Sequence, residues 1–227
     1  MKKLSAKEIA KMIDHSLLLP QMTRDEVAEG CDIAIKYNTA SVCVRPYDIE
    51  FCKERLKGTD VMVCAVTGFP HGNSTTASKL CEVSEAIDLG AEEIDVVIAI
   101  GLAKSGMWDY VKEEVSRVLG VCAAKGAVLK VIFENAYLTA DEIVTCCKIC
   151  DELNVGFVKT STGYAPSGAR EEDLKLMRAN TKRSVEIKAA GGVKTLDQFL
   201  AYYELGVTRQ GMRATAEVVE EAIRRGL

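Results

Sequence analysis

Short apolar runs alternate with amphipathic stretches along the whole chain, and this alternation restricts the sequence to an α/β architecture. Candidate strands fall at 13–17, 41–44, 61–66, 93–98, 129–134, 156–160, 185–190 and 207–209, which makes eight. Helical periodicity occupies 23–37, 48–56, 75–89, 108–125, 140–153, 171–179, 195–205 and 215–225. Thr139, Thr195 and Thr215 stand where helix N-caps belong, and Gly90, Gly126 and Gly206 where helices should stop. Strict strand–helix alternation requires parallel strands joined by right-handed crossovers. Eight such units close most economically into a single (β/α)8 TIM barrel, here a domain spanning residues 1–227 with an extra N-terminal helix. The alternative is an open doubly wound sheet. It calls for a glycine-rich phosphate turn after the first strand, but 13–17 runs into Leu18-Leu19-Pro20-Gln21.

Hydrophobic residues form 48% of the 227, enough to fill both the barrel and the layer beneath its helices. The net charge of −4 offers no basic surface for nucleic acid or anionic lipid, so any anion site must be local. Apolar runs such as 61–66 fall far short of the roughly 20 residues that cross a bilayer. Lys7, Glu8 and Lys11 interrupt what a leader would need as an apolar stretch, and a cytoplasmic location is expected. The nine cysteines lack metal-ligand spacing and read mostly as core thiols; Cys43 reads as one too, with a thiol facing the pocket and open to aldehydes as the alternative. His15 and His71, the only histidines, read as a packing or hydrogen-bonding residue and a loop residue.

The chemistry is signalled by charge inside strands that should be buried on both faces. Asp14, Asp95, Lys130, Lys159 and Lys188 interrupt apolar runs, with Glu134 at the end of one. In a barrel alternate residues point to the lumen, so Asp95, Lys159 and Lys188 face inward if Ile94, Val96 and Val158 pack under helices. Lysines on adjacent strands are expected to repel, and a desolvated lysine beside another cation can serve as a neutral nucleophile. A buried network that pairs these charges to fix strand register is the other reading. Gly191 and Gly192 follow the seventh strand and Gly211 the eighth, where barrels place phosphate, and Gly163 lies near the end of the sixth. Ordinary turn glycines would read the same way.

In order along nearly the whole chain stand Ile13-Asp14-His15-Ser16, Val42-Cys43-Val44, Gly68-Phe69-Pro70, Glu93-Ile94-Asp95-Val96-Val97, Lys130-Val131-Ile132, Val158-Lys159-Thr160-Ser161-Thr162-Gly163 and Lys188-Ala189-Ala190-Gly191-Gly192. This set resembles the short-type deoxyribose-phosphate aldolases. The resemblance implies a class I aldol reaction without metal or other cofactor, cleaving 2-deoxyribose 5-phosphate to acetaldehyde and glyceraldehyde 3-phosphate. Lys159 matches the Schiff-base lysine, Lys188 the lysine that perturbs it, and Asp95 the proton-shuttling carboxylate. Asp14, Ser16, Lys130 and Thr160 match positions that line or support the family's site.

The chain departs from that pattern after its last strand, where Arg209-Gln210-Gly211-Met212-Arg213-Ala214 puts Arg213 in place of a phosphate-binding serine and Ala214 in place of a neighbouring hydroxyl. An arginine binds phosphate or carboxylate through its fork of donors, so a different phosphosugar or a carboxylated aldehyde is an alternative substrate, while an arginine at a helix start turned to solvent is the plain reading of Arg213. Ala99, Asn135 and Tyr164 also differ from the usual residues. A non-catalytic ligand-binding barrel is the third reading, opposed by the retention of all three central charges. A homodimer formed through exterior helices is expected.

Overall fold

The computed structural model describes residues 3–227. Its eight parallel strands close into a barrel in chain order. They are β1 (Ile13–Leu17), β2 (Ser41–Val44), β3 (Met62–Thr67), β4 (Glu93–Val97), β5 (Val128–Ile132), β6 (Phe157–Lys159), β7 (Glu186–Ala190) and β8 (Arg209–Met212). A short helix α1 (Ala6–Ala10) precedes β1, and α2 (Arg24–Tyr37), α3 (Ile49–Arg55) and α4 (Thr76–Asp88) follow the first three strands. Two helices, α5 (Ile100–Lys104) and α6 (Trp108–Lys125), follow β4. The remainder are α7 (Ala140–Leu153), α8 (Glu171–Ala179), α9 (Leu196–Glu204) and α10 (Thr215–Arg224). Among the described residues no helix is long and apolar enough to cross a membrane.

Alternation along each strand divides the interior into two layers. Ile94, Val96, Leu129, Val131, Val158 and Ile187 point outward and join Val83, Val115, Ile143 and Leu174 of the surrounding helices in the main apolar core. Inward-facing positions carry the charges, together with a small apolar patch of Leu18, Cys43, Cys64 and Val66. Register aligns Lys159 with Lys188 and Lys188 with Arg209, while Asp95 pairs with Lys130.

Most helix boundaries follow local chemistry. Ser5, Thr23 and Thr139 form capping boxes with Glu8, Glu26 and Glu142, and Thr195 caps α9. Gly90, Gly126 and Gly206 end their helices with positive φ, as expected. Thr215 does not cap α10: it is the helix's first residue, fully buried, with its hydroxyl 2.8 Å from His15 Nδ1.

Three other expectations need correction. The strand placed at 207–209 lies at Arg209–Met212, because Val207 is an apolar plug before the strand whereas Arg-Gln-Gly-Met is held by pairing with β1 and β7. Gly211 therefore lies inside β8, not after it. Glu134 lies beyond β5, in left-handed backbone at φ 59° that turns the chain out of the sheet.

Candidate active site

Lys159 is the last residue of β6, which places its amine at the C-terminal mouth of the barrel. Its Nζ lies 2.6 Å from Asp95 Oδ2, and Lys188 Nζ approaches the same oxygen at 2.7 Å. Lys188 also pairs closely with Asp14 Oδ2. One layer down, Lys130 Nζ contacts Glu93 Oε2 at 2.5 Å, Asp14 Oδ2 at 3.2 Å and Asp95 Oδ1 at 3.3 Å. Arg209 closes the network from β8, 2.7 Å from Asp14 and 2.9 Å from Glu93. The side chains of Lys130, Lys159 and Lys188 are at most 3% exposed, so these contacts operate with little screening by water.

This geometry revises the expected electrostatics. Burial works against a charged Lys188, but the Asp14 and Asp95 carboxylates outweigh it and hold the ammonium above the usual lysine range. The neighbouring cation that opposes its charge most is Lys130, not Lys159. Lys130 is likewise held high, against burial, by Asp14, Asp95, Cys64 and Glu93. Burial would raise the Asp95 carboxyl, yet Lys130, Lys159 and Lys188 keep it well below the carboxylate range. Asp14 follows the same logic under Lys130, Lys188 and Arg209. One network thus pairs these charges, Glu134 excepted, and presents the Lys159 amine at its upper end.

Above Lys159 opens a cavity of about 560 Å³. Lys159, Lys188, Asp14 and Ser16 reach its wall, together with Gly163, Gly191, Gly192, Gly211 and Arg213. Cys43, read as a core thiol or as a thiol facing the pocket, borders the cavity while only 2% exposed. Asp95, Thr160 and Lys130 do not line it. Asp95 and Lys130 are screened beneath the other lysines, and Thr160 staples β6 to β7 by accepting the Ala190 N–H at 3.1 Å and donating to the Ala190 carbonyl at 3.2 Å.

At the far wall Gly191 and Gly192 adopt φ of 81° and 84°, backbone that a side chain would strain. Gly191 also meets Gly168, where an added Cβ would stand 2.0 Å from the Gly191 carbonyl oxygen. Next to this turn begins α10, whose first-turn N–H groups face the loop after β8. Arg213 is exposed at the rim and, among the described residues, forms no ion pair. Tyr164 reaches across the mouth, its hydroxyl donating to the Leu18 carbonyl at 2.6 Å and its ring edge-on to Phe69.

Several groups escaped the sequence reading. Glu93 lies two residues before Asp95 and shares its face, so period-two alternation was sufficient to find it. Arg209 was masked by the misplaced eighth strand. Glu134 was read as a charge at a strand end but its partner was not: it accepts the backbone N–H of Thr162 and a close hydroxyl contact from it, which fixes the loop after Lys159, while burial pushes its carboxyl up. That partnership spans two loops and leaves no local signature.

Two sets of potential metal donors occur among the described residues, Cys43–Cys64–Asp95 and Asp14–Cys64–Glu93. Their carboxylates already serve ammonium groups, and Lys130 Nζ stands 3.2 Å from Cys64 Sγ, so the donors fit the lysines in place of a divalent ion.

The pattern that describes the DeoC/LacD family aldolases matches residues 8–212. A deoxyribose-phosphate aldolase of Rhodopirellula baltica is 46% identical over 95% of this chain and 89% of its own. Another, from Caldanaerobacter subterraneus, is 44% identical over 98% and 97%. The tetrameric deoxyribose phosphate aldolase of Aeropyrum pernix superimposes with a TM-score of 0.89 at 25% identity, covering 98% of this chain and 94% of that one. With an amine, a shared carboxylate and a second ammonium at the mouth of a closed barrel, the chain belongs to the DeoC/LacD family of aldolases.

Proposed function

We propose that this single-domain barrel cleaves 2-deoxy-D-ribose 5-phosphate reversibly to acetaldehyde and D-glyceraldehyde 3-phosphate, with Lys159 as the Schiff-base nucleophile. The observation that carries this reading is the placement of Lys159 Nζ on the cavity wall, against an Asp95 oxygen that Lys188 also holds. Relatives bearing the deoxyribose-phosphate aldolase name along nearly the whole chain support the substrate.

In this mechanism neutral Lys159 adds to the C1 aldehyde of the open-chain sugar, and loss of water gives a protonated imine. The C3 hydroxyl proton passes to water in the open cavity as the C2–C3 bond breaks. The electron pair moves onto the imine as an enamine, and glyceraldehyde 3-phosphate departs. Protonation at C2 and hydrolysis then release acetaldehyde and restore the amine. Lys188, held protonated and facing the cavity, is the acid on the substrate side. Asp95 does not reach the cavity and relays protons between the two lysines.

The substrate phosphate would lie against Gly191, Gly192, the first turn of α10 and Arg213, with Gly163 and Gly211 leaving room for its approach. Asp14 orients Lys188, Lys130 supports both aspartates from below, and Ser16 offers a hydroxyl to the sugar. Arg213 keeps a second substrate class in view, carboxylated aldehydes, because its guanidinium is unpaired among the described residues. A homodimer formed through exterior helices belongs to the same reading, and sedimentation equilibrium tests it.

Turnover of 2-deoxyribose 5-phosphate should be followed through a coupled assay for glyceraldehyde 3-phosphate, beside unphosphorylated 2-deoxyribose assayed for acetaldehyde. A much larger kcat/KM for the phosphorylated sugar is expected. Equal values would remove the phosphate site, and no turnover of either sugar would defeat the substrate assignment.

A further inference from the structure

The floor of the barrel holds more charge than this mechanism uses. Arg209 Nη1 lies 2.7 Å from Asp14 Oδ1 and 2.9 Å from Glu93 Oε2, with the guanidinium 5.2 Å from the centre of the Phe157 ring. Neither Arg209 nor Glu93 borders the cavity, so neither touches a substrate bound there. Both are nonetheless joined to the reacting end. Arg209 is in register with Lys188, which is in register with Lys159, and Glu93 reaches Asp95 through Lys130.

Among the described residues, four cations belong to this ion-paired cluster, Lys130, Lys159, Lys188 and Arg209, against three carboxylates, Asp14, Glu93 and Asp95. Full ionisation therefore leaves one positive charge in excess, and release of a single proton makes the cluster neutral. Lys159 is the member held by the fewest contacts, with Asp95 as its one carboxylate partner. An enclosed, weakly screened site makes such a count consequential.

We infer that Arg209 and Glu93 push this charge balance in opposite directions, and that each thereby shifts the pH range in which Lys159 attacks the substrate carbonyl. Both are positioning residues, and the inference rests on Lys159 being the Schiff-base nucleophile. The other groups around that amine stay the same in the test below. From β1 and β7 come Asp14 and Lys188, already counted. From β2 and β3 come Cys43 and Cys64, whose thiols lie 3.8 and 3.1 Å from Asp95 oxygens. From the loop after β5 comes Glu134, which is tied to Thr162, outside the ion pairs, and whose charge also interacts with Lys159 and His71.

The experiment measures kcat/KM against pH, and in parallel the pH dependence of borohydride trapping with acetaldehyde, in four variants and the natural protein. Arg209→Met makes the count three against three, so the cluster keeps its proton and the acid limb moves to higher pH. Glu93→Gln makes it four against two, and the limb moves to lower pH. A charge about 10 Å away, two strand spacings, moves such a limb by about one pH unit in an interior of intermediate polarity. The double variant restores the excess of one and should return the limb to its natural position. Arg209→Lys, which preserves charge and alters shape, should leave the limb in place.

If Arg209→Met does not fold, Glu93→Gln and the double variant still decide, since the latter removes both partners together. Unchanged limbs, or shifts of the same sign in the two single variants, would overturn the inference while trapping at Lys159 remained intact. Absence of trapping at Lys159 in the natural protein would remove the nucleophile itself, a failure separable from the first.

Discussion

The two ends of the cavity are built on opposite plans. At the lysine end, Lys130, Lys159 and Lys188 each have a carboxylate oxygen within 2.7 Å and are almost wholly enclosed. At the end proposed to take the phosphate, Arg213 and Lys194 are exposed at the rim and form no ion pair among the described residues, while glycine backbone supplies the wall. A reacting amine needs fixed geometry and a controlled proton, which enclosure and paired charge provide. A phosphate needs positive potential and free donors, which pairing would consume.

The sharpest break of this comparison is Lys159→Met, which keeps the apolar stem and removes the amine. Asp95 retains Lys130 and Lys188, so the fold should persist while kcat falls by about 10⁴-fold or more, read in the coupled assay. Asp95→Asn attacks the same end through stability. It strips a shared counter-charge from three buried ammonium groups and should cost about 3–5 kcal/mol in urea unfolding.

Acid separates the two ends by pH. His15 bonds Thr215 and so ties β1 to the start of α10 at the proposed phosphate end, and burial lowers its imidazole to about 4. The unfolded imidazole takes up a proton below about pH 6.5, whereas the folded one resists until about 4. Stability is therefore lost as pH falls through that interval, by about 3 kcal/mol. Urea midpoints at pH 7, 5.5 and 4 should follow this slope, and His15→Asn should flatten it. Asp14 and Asp95 have lowered folded values, so their contribution is full above the unfolded carboxyl near pH 3.9 and declines only below it. The smallest effect belongs to Arg213→Ala, expected to raise KM for the phosphorylated sugar about 10-fold, the loss of one charge-assisted contact. Its kcat and its unfolding midpoint should stay within error of the natural protein, and an unchanged KM would remove Arg213 from the anion site.

The same contrast decided what the sequence made legible. Charges at Asp95, Lys159 and Lys188 interrupt buried strands, and such residues stand out because the surrounding run is apolar. The barrel likewise follows from periodicity and caps such as Thr139 and Thr195. What escaped depends on pairing across the sheet. The strand β8 is made by its neighbours out of Arg-Gln-Gly-Met, and Gln210 donates its amide N–H to the Phe199 carbonyl, a contact no local pattern announces. Thr160 reads as a site residue in the lysine string but spends its hydroxyl on β7. The expected repulsion between lysines ignored the carboxylate between them, a distance that one strand's sequence does not contain.

Borohydride reduction in the presence of acetaldehyde, followed by peptide mass spectrometry, bears most directly on the role of the amine at the barrel mouth. An irreversible secondary amine on the peptide carrying Lys159, with Lys188 and Lys130 unmodified, is the predicted result. An adduct confined to Lys188, or no adduct on any of the three, would contradict it.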